Sequence, residues 1–164
     1  MKKILNFSLY AILLYILITK IPGIYKNYKL QNTTTVPSSL KRLSGEEITF
    51  PIPDQKVIVV FWATWCGPCK IELNRLNLLV GKNVIKSNEL IAINIQESAE
   101  TVNQFLSENP LQFLIALDQT GKIAETYNVS GTPTVIFFDN MKIEWMTTGL
   151  SPTLEYRVSQ FLKN

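Results

Sequence analysis

The chain has 164 residues, with 16 Lys and Arg against 13 Asp and Glu, a formal charge of +3, and no histidine. The missing imidazole excludes His-based acid–base catalysis, Ser-His and Cys-His nucleophile pairs, and His-ligated zinc or haem. The charge is unevenly placed. Five lysines (Lys2, Lys3, Lys20, Lys26, Lys29) and no acid precede Leu30. Taking those five from the 16 leaves 11 basic against 13 acidic residues, net −2, so a basic nucleic-acid-binding face is disfavoured.

The first element is a hydrophobic segment. Ile4 to Ile18 carries no charge and only two polar residues, Asn6 and Ser8, and extension to Ile21 approaches the lower limit of about 17 residues for a bilayer span. Charged residues make up 18% of the chain, against roughly 25% in ordinary globular domains, which agrees with a membrane segment. Lys20 can snorkel to the interface, and Tyr25 and Tyr28 are either interfacial anchors or plain linker residues. Lys2 and Lys3 before an apolar core also suit a cleaved signal peptide, but no small-x-small site follows. Residues 1–21 are therefore read as an uncleaved signal-anchor. Lysines flank both sides, so charge alone does not orient it; the short N-terminal flank favours a cytoplasmic N-terminus and an extracytoplasmic domain. Residues 22–39 read as a polar linker and 40–164 as one domain. Asn32 and Asn128 match glycosylation sequons, but in an Asn-rich chain chance is the stronger explanation.

The domain alternates strands and helices. Lys56 to Trp62 is a continuous β-branched and aromatic run, as expected of a strand buried on both faces. A helix follows over about Gly67 to Val80, with Gly81 as its stop. Leu90 to Ile95 is a second buried strand, and Ser98 caps a helix that ends before Pro110. Phe113 to Leu117 is a third strand, Lys122 to Tyr127 a short helix, and Thr134 to Phe138 a fourth strand. Ile143 to Thr148 pairs with that strand through a turn at Asp139-Asn140. An amphipathic helix ends the chain near Leu162. This order predicts an α/β sandwich.

Both cysteines lie in Trp65-Cys66-Gly67-Pro68-Cys69, where a buried strand meets a helix. One helical turn separates them, close enough for a disulfide, and the first sits at a helix N-terminus, where free N–H groups favour a thiolate. Cys66 is then the attacking nucleophile and Cys69 the resolving thiol. Pro68 in the first turn costs no backbone hydrogen bond. An inert staple closing so short a loop adds little stability, and zinc lacks further ligands. No metal or cofactor is expected.

Val59 to Glu72 (Val-Val-Phe-Trp-Ala-Thr-Trp-Cys-Gly-Pro-Cys-Lys-Ile-Glu) and Val129 to Asp139 (Val-Ser-Gly-Thr-Pro-Thr-Val-Ile-Phe-Phe-Asp) resemble the thioredoxin superfamily. More narrowly, the chain resembles the membrane-anchored extracytoplasmic thioredoxin-like reductases of bacteria, a group that includes cytochrome c maturation thiol-disulfide oxidoreductases. The likeness spans about Leu43 to Leu162. It implies a thioredoxin-like sandwich with a central mixed sheet and a strand–helix insertion. It makes Pro133 a cis-proline facing the dithiol and Thr132 the residue whose backbone binds an extended client. Gly67 and Pro68 join that client-binding surface, and Trp65 resembles a partly exposed tryptophan beside the nucleophile, whereas Trp62 reads as core. Gly149 resembles a glycine flanking the groove or serves a plain turn. Thioredoxin carries a buried Asp six residues before the first cysteine; Val60 stands there instead. The reductases carry a Glu three residues after the second cysteine, and Glu72 matches it. Glu72 is thus the candidate base, its alternative being an exposed helix glutamate paired with Arg75. At Met141 the family usually has a turn glycine, so a looser hairpin is expected.

The resemblance implies a membrane-tethered thiol-disulfide oxidoreductase reducing disulfides of extracytoplasmic proteins, held in the cytoplasmic (inner) membrane with its domain on the periplasmic side. A transmembrane thiol protein would supply its electrons, since the chain holds no second dithiol. A disulfide oxidase or isomerase of the same fold, and a non-catalytic adaptor, are the competing readings.

Overall fold

The computed structural model describes residues 10, 14, 15, 35 and 37–163. The expected membrane anchor therefore lies outside the described residues, apart from Tyr10, Leu14 and Tyr15, which are helical and exposed. Among the described residues no helix is long and apolar enough to cross a membrane.

Seven strands form one mixed sheet: β1 (Ser38–Arg42), β2 (Glu47–Phe50), β3 (Lys56–Trp62), β4 (Leu90–Ile95), β5 (Leu114–Asp118), β6 (Thr134–Asp139) and β7 (Lys142–Thr148). Their spatial order is β2-β1-β5-β4-β3-β6-β7. The central three, β5, β4 and β3, run parallel, and the antiparallel pairs β6–β7 and β1–β2 close the two sides. Among the described residues four α-helices pack on the sheet: α1 (Gly67–Gly81), α2 (Ala99–Glu108), α3 (Lys122–Thr126) and α4 (Leu154–Lys163).

The apolar run of β3 has the expected cause. Ile58, Val60 and Trp62 enter a core shared with Leu73, Leu76 and Val80 of α1, Val102 of α2, and Leu154 and Val158 of α4. Val57, Val59 and Phe61, which point the other way, join Phe50, Ala124 and Tyr127. With both faces covered, alternation disappears from the sequence. Each such fully buried side chain contributes about 1.5–3 kcal/mol. Phe50, Tyr127 and Phe138 meet edge to face, with centroids 5.3–5.6 Å apart, a preferred aromatic geometry.

Several boundaries differ from the sequence reading. β1 begins at Ser38, inside the stretch read as a linker, and β2 was not foreseen at all. The left-handed residue after α1 is Asn83 at φ 56°, not Gly81, which still belongs to the helix. The β6–β7 hairpin is tight rather than loose: Asp139 faces Lys142, so Asn140 and Met141 form a two-residue loop with φ 45° and 66°. Two successive positive φ values mark a type I′ turn, which matches strand twist and normally selects glycine.

Candidate active site

β3 ends at Trp62 and α1 begins at Gly67, and the intervening residues carry the cysteines to the C-terminal edge of the parallel strands. Cys66 and Cys69 are joined by a disulfide, with S–S 2.05 Å and Cα–Cα 5.2 Å. Cys66 is also the N-cap of α1, its Sγ accepting the Cys69 N–H at 3.2 Å. Both cysteines are buried, but unequally: Cys66 keeps 5% exposure whereas Cys69 has none. Gly67 and Pro68 open the helix, and both are exposed. A Cβ on Gly67 would meet nothing within 4 Å, so the surface in front of the disulfide is open.

β6 runs antiparallel to β3 with Phe61 opposite Thr134. That register puts the Thr132–Pro133 peptide, which is cis, against the end of β3. Thr132 and Gly131 line a groove of about 560 Å³ together with Ala63, Trp65, Ile95 and Val129. Trp65 stands at its rim, 76% exposed, while Trp62 is wholly buried against Phe105. Gly149 donates its N–H to the Pro133 carbonyl at 2.7 Å from a backbone at φ 85°. It thus braces the proline from β7's end, in a conformation that favours glycine.

Glu72 lies one helical turn beyond Cys69, on the same side of α1. It is wholly buried, which rules out the alternative of an exposed helix glutamate. Its expected pairing with Arg75 is present: Arg75 Nη1 donates to Glu72 Oε2 at 2.6 Å. The Ser151 N–H donates to Glu72 Oε1 at 3.3 Å. Burial pushes the Glu72 carboxyl above its ordinary value, while the Ser151 N–H and Arg75 pull it back down without cancelling the rise. A carboxylate held between these influences exchanges a proton closer to neutrality than an exposed one.

Glu97 belongs to the site although the sequence did not point to it. It follows β4, and one of its oxygens accepts the Thr64 N–H at 2.7 Å and the Asn94 amide at 2.6 Å. The other accepts the Thr64 hydroxyl at 2.5 Å. These bonds tie the loop that carries Trp65 and Cys66 to the neighbouring strand. The recoverable signal was topological: in a parallel β3–β4 pair, the loops leaving both strands emerge at the same edge. Among the described residues no group of three or more His, Cys, Asp or Glu is arranged to hold a metal ion.

A bonded Cys-x-x-Cys pair where a central strand of a mixed sheet meets a helix, the first cysteine slightly exposed and the second fully buried, is the arrangement expected of a thiol-disulfide oxidoreductase. The chain belongs to the AhpC/TSA family, whose pattern it matches over residues 26–146. Sporulation thiol-disulfide oxidoreductase A of Bacillus subtilis is 31% identical over 144 residues, covering 86% of this chain and 87% of the relative. The thiol-disulfide oxidoreductase ResA of Oceanobacillus iheyensis is 32% identical, over 67% of this chain and 60% of its own. Among solved structures, StoA from Bacillus subtilis superposes with a TM-score of 0.66 at 27% identity, covering 77% of this chain and 96% of StoA. A DsbE-type thiol:disulfide interchange protein from Chlorobium tepidum shares the fold, with a TM-score of 0.70, 24% identity and coverage of 81% and 95%. The protein is thus a thiol-disulfide oxidoreductase with a Cys-x-x-Cys pair.

Proposed function

We propose that this oxidoreductase is membrane-tethered and reduces disulfides in extracytoplasmic proteins, with apocytochrome c as the client class that the resemblance to cytochrome c maturation reductases suggests. The observation that carries the reading is the asymmetry of the pair: Cys66 keeps a small exposure directly after the groove residue Trp65, and Cys69 is sealed one helical turn from the buried Glu72. In the reduced state the Cys66 thiolate attacks the client disulfide, forming a mixed disulfide and releasing one client thiolate. Cys69 then passes its proton to Glu72 and attacks Cys66. The intramolecular disulfide re-forms and the second client sulfur leaves, so two electrons pass to the client. Trp65, Gly67, Pro68, Thr132 and Pro133 form the surface on which an extended client segment lies.

The tether reading rests on the uncharged run from Ile4 to Ile18 between lysines, and it places the domain on the outer, periplasmic face of the cytoplasmic membrane. A transmembrane thiol protein would return electrons to the pair. Cys69→Ser tests the whole scheme, because the first attack still occurs but resolution does not. The full chain carrying this change is expected to accumulate mixed disulfides with extracytoplasmic proteins that vanish in Cys66→Ser. Absence of such adducts would refute the reading, and a potential near about −120 mV rather than about −270 mV would reverse its direction to oxidation.

A further inference from the structure

Arg75 does more than neutralise its neighbour on α1. Its guanidinium reaches three groups at once. Nη1 donates to Glu72 at 2.6 Å and to the Ser151 carbonyl at 2.8 Å, and Nε, 2.8 Å from Glu155 Oε1, forms a two-point fork with Nη2 on the Glu155 carboxylate. Glu155 lies in the first turn of α4, and Ser151 precedes that helix. The same segment supplies the Ser151 N–H to Glu72. The carboxylate one turn from Cys69 is therefore held by a clamp whose other half belongs to the last helix of the chain.

We propose that Arg75 is a positioning residue for the exchange reaction: anchored by Glu155 and the Ser151 carbonyl, it fixes the Glu72 carboxylate beside Cys69 and sets the pH range over which that carboxylate takes and returns the resolving thiol's proton. This rests on the reading of Glu72 as proton acceptor. The charged groups bearing on Glu72 are Arg75 on its own helix and Glu155 on α4, with the Cys66–Cys69 pair one turn away. Burial and Glu155 favour the protonated form, whereas Arg75 and the Ser151 N–H favour the ionised one. Lysine is a poor substitute, because an ammonium cannot present a planar fork to Glu155 while touching Glu72 and the carbonyl.

The test is the pH dependence of resolution: single-turnover reduction of a disulfide-bonded model peptide by the full-length dithiol protein in detergent, compared among wild type, E72Q, R75M and R75K. E72Q is expected to lose about 10²-fold in rate together with the acidic limb of the profile. R75M is expected to keep the limb but displace it to higher pH, because the carboxylate stays protonated further up the scale. R75K is expected to fall between wild type and R75M, and it carries the test alone if R75M is not recovered folded. A limb lost in E72Q but coincident with wild type in both Arg75 variants overturns the positioning role alone. A limb unchanged in E72Q removes Glu72 as proton acceptor and overturns both readings.

Discussion

Glu97→Ala removes the carboxylate that bonds the Thr64 N–H, the Thr64 hydroxyl and the Asn94 amide. Hydrogen bonds to an ionised group contribute about 1.5–3 kcal/mol each, and a buried donor left unsatisfied forfeits its solvation as well. The site is half-buried and two of the three bonds share one oxygen, so the sum is less than three full bonds, and about 3 kcal/mol is expected. Thr64→Val deletes only the hydroxyl bond and is expected to cost about 1.5 kcal/mol. A double-mutant cycle isolates their coupling, expected at about 1–2 kcal/mol because the two side chains touch directly. Urea unfolding of the oxidised full-length protein supplies the energies, with unchanged m-values required for the comparison. Loosening this loop frees Trp65 and Cys66 to leave the groove edge, so reduction of a protein disulfide should slow alongside the loss of stability. A cost below about 1 kcal/mol for Glu97→Ala, or a coupling near zero, would refute the claim that this carboxylate holds the loop.

Three further outcomes are expected. Met141→Gly should stabilise the fold by about 1 kcal/mol, because a non-glycine residue in left-handed backbone costs about 1–2 kcal/mol; a thermal melt at or below wild type would count against it. Gly149→Ala forces a side chain onto a φ of 85° and should cost about 1 kcal/mol. It should also weaken reduction of protein disulfides, since the Gly149 N–H braces Pro133; unaltered stability and rate would dispose of that bracing role. Burial pushes the Tyr127 hydroxyl up to about 12, with Thr35 offsetting only part of the rise. A phenol whose folded value lies above its unfolded value of about 10 contributes stability that is whole below pH 10 and is lost as pH climbs toward about 12. Alkaline unfolding should steepen in that window by about 2–3 kcal/mol, and Tyr127→Phe should flatten it; equal slopes in both proteins would contradict the assignment.

What could be read in the chain followed from burial. β3, β4 and β6 are covered on both faces, so each appears as an unbroken apolar run whose limits match the folded strand to within a residue. β1 and β2 escaped because they are short, half-exposed strands at one side of the sheet, Ser-Ser-Leu-Lys-Arg and Glu-Ile-Thr-Phe. Of these only Leu40 and Phe50 are fully buried, with Ile48 packed partly against the same core, and so few apolar contacts split between two strands make no clear period. The dithiol and its helix were legible because spacing along one chain segment determines them. Glu97 was not, since its partner Thr64 arrives from the adjacent strand's loop. The burial of Glu72 was hidden for the same reason: α4, more than 80 residues downstream, folds over it.

The downstream origin of that cover shows how a thiol-disulfide oxidoreductase without a strand carboxylate can hold an acidic group near its cysteines. With Val60 buried in β3, the interior strand carries no acidic group, and the candidate base is delivered from α1. Placing it there solves one problem and creates another, because a helix carboxylate with zero exposure needs partners that its own helix backbone cannot supply. Two of them come from elsewhere: the Ser151 N–H directly, and Glu155 through its fork on Arg75. Breaking one side of such a buried charge pair is more damaging than never having built it. The docking of α4 is therefore a condition for an ionisable carboxylate beside Cys69. Weakening that docking at Leu154 or Val158, the wholly buried residues of α4, should disturb the chemistry of the thiols before it disturbs the sheet that carries them.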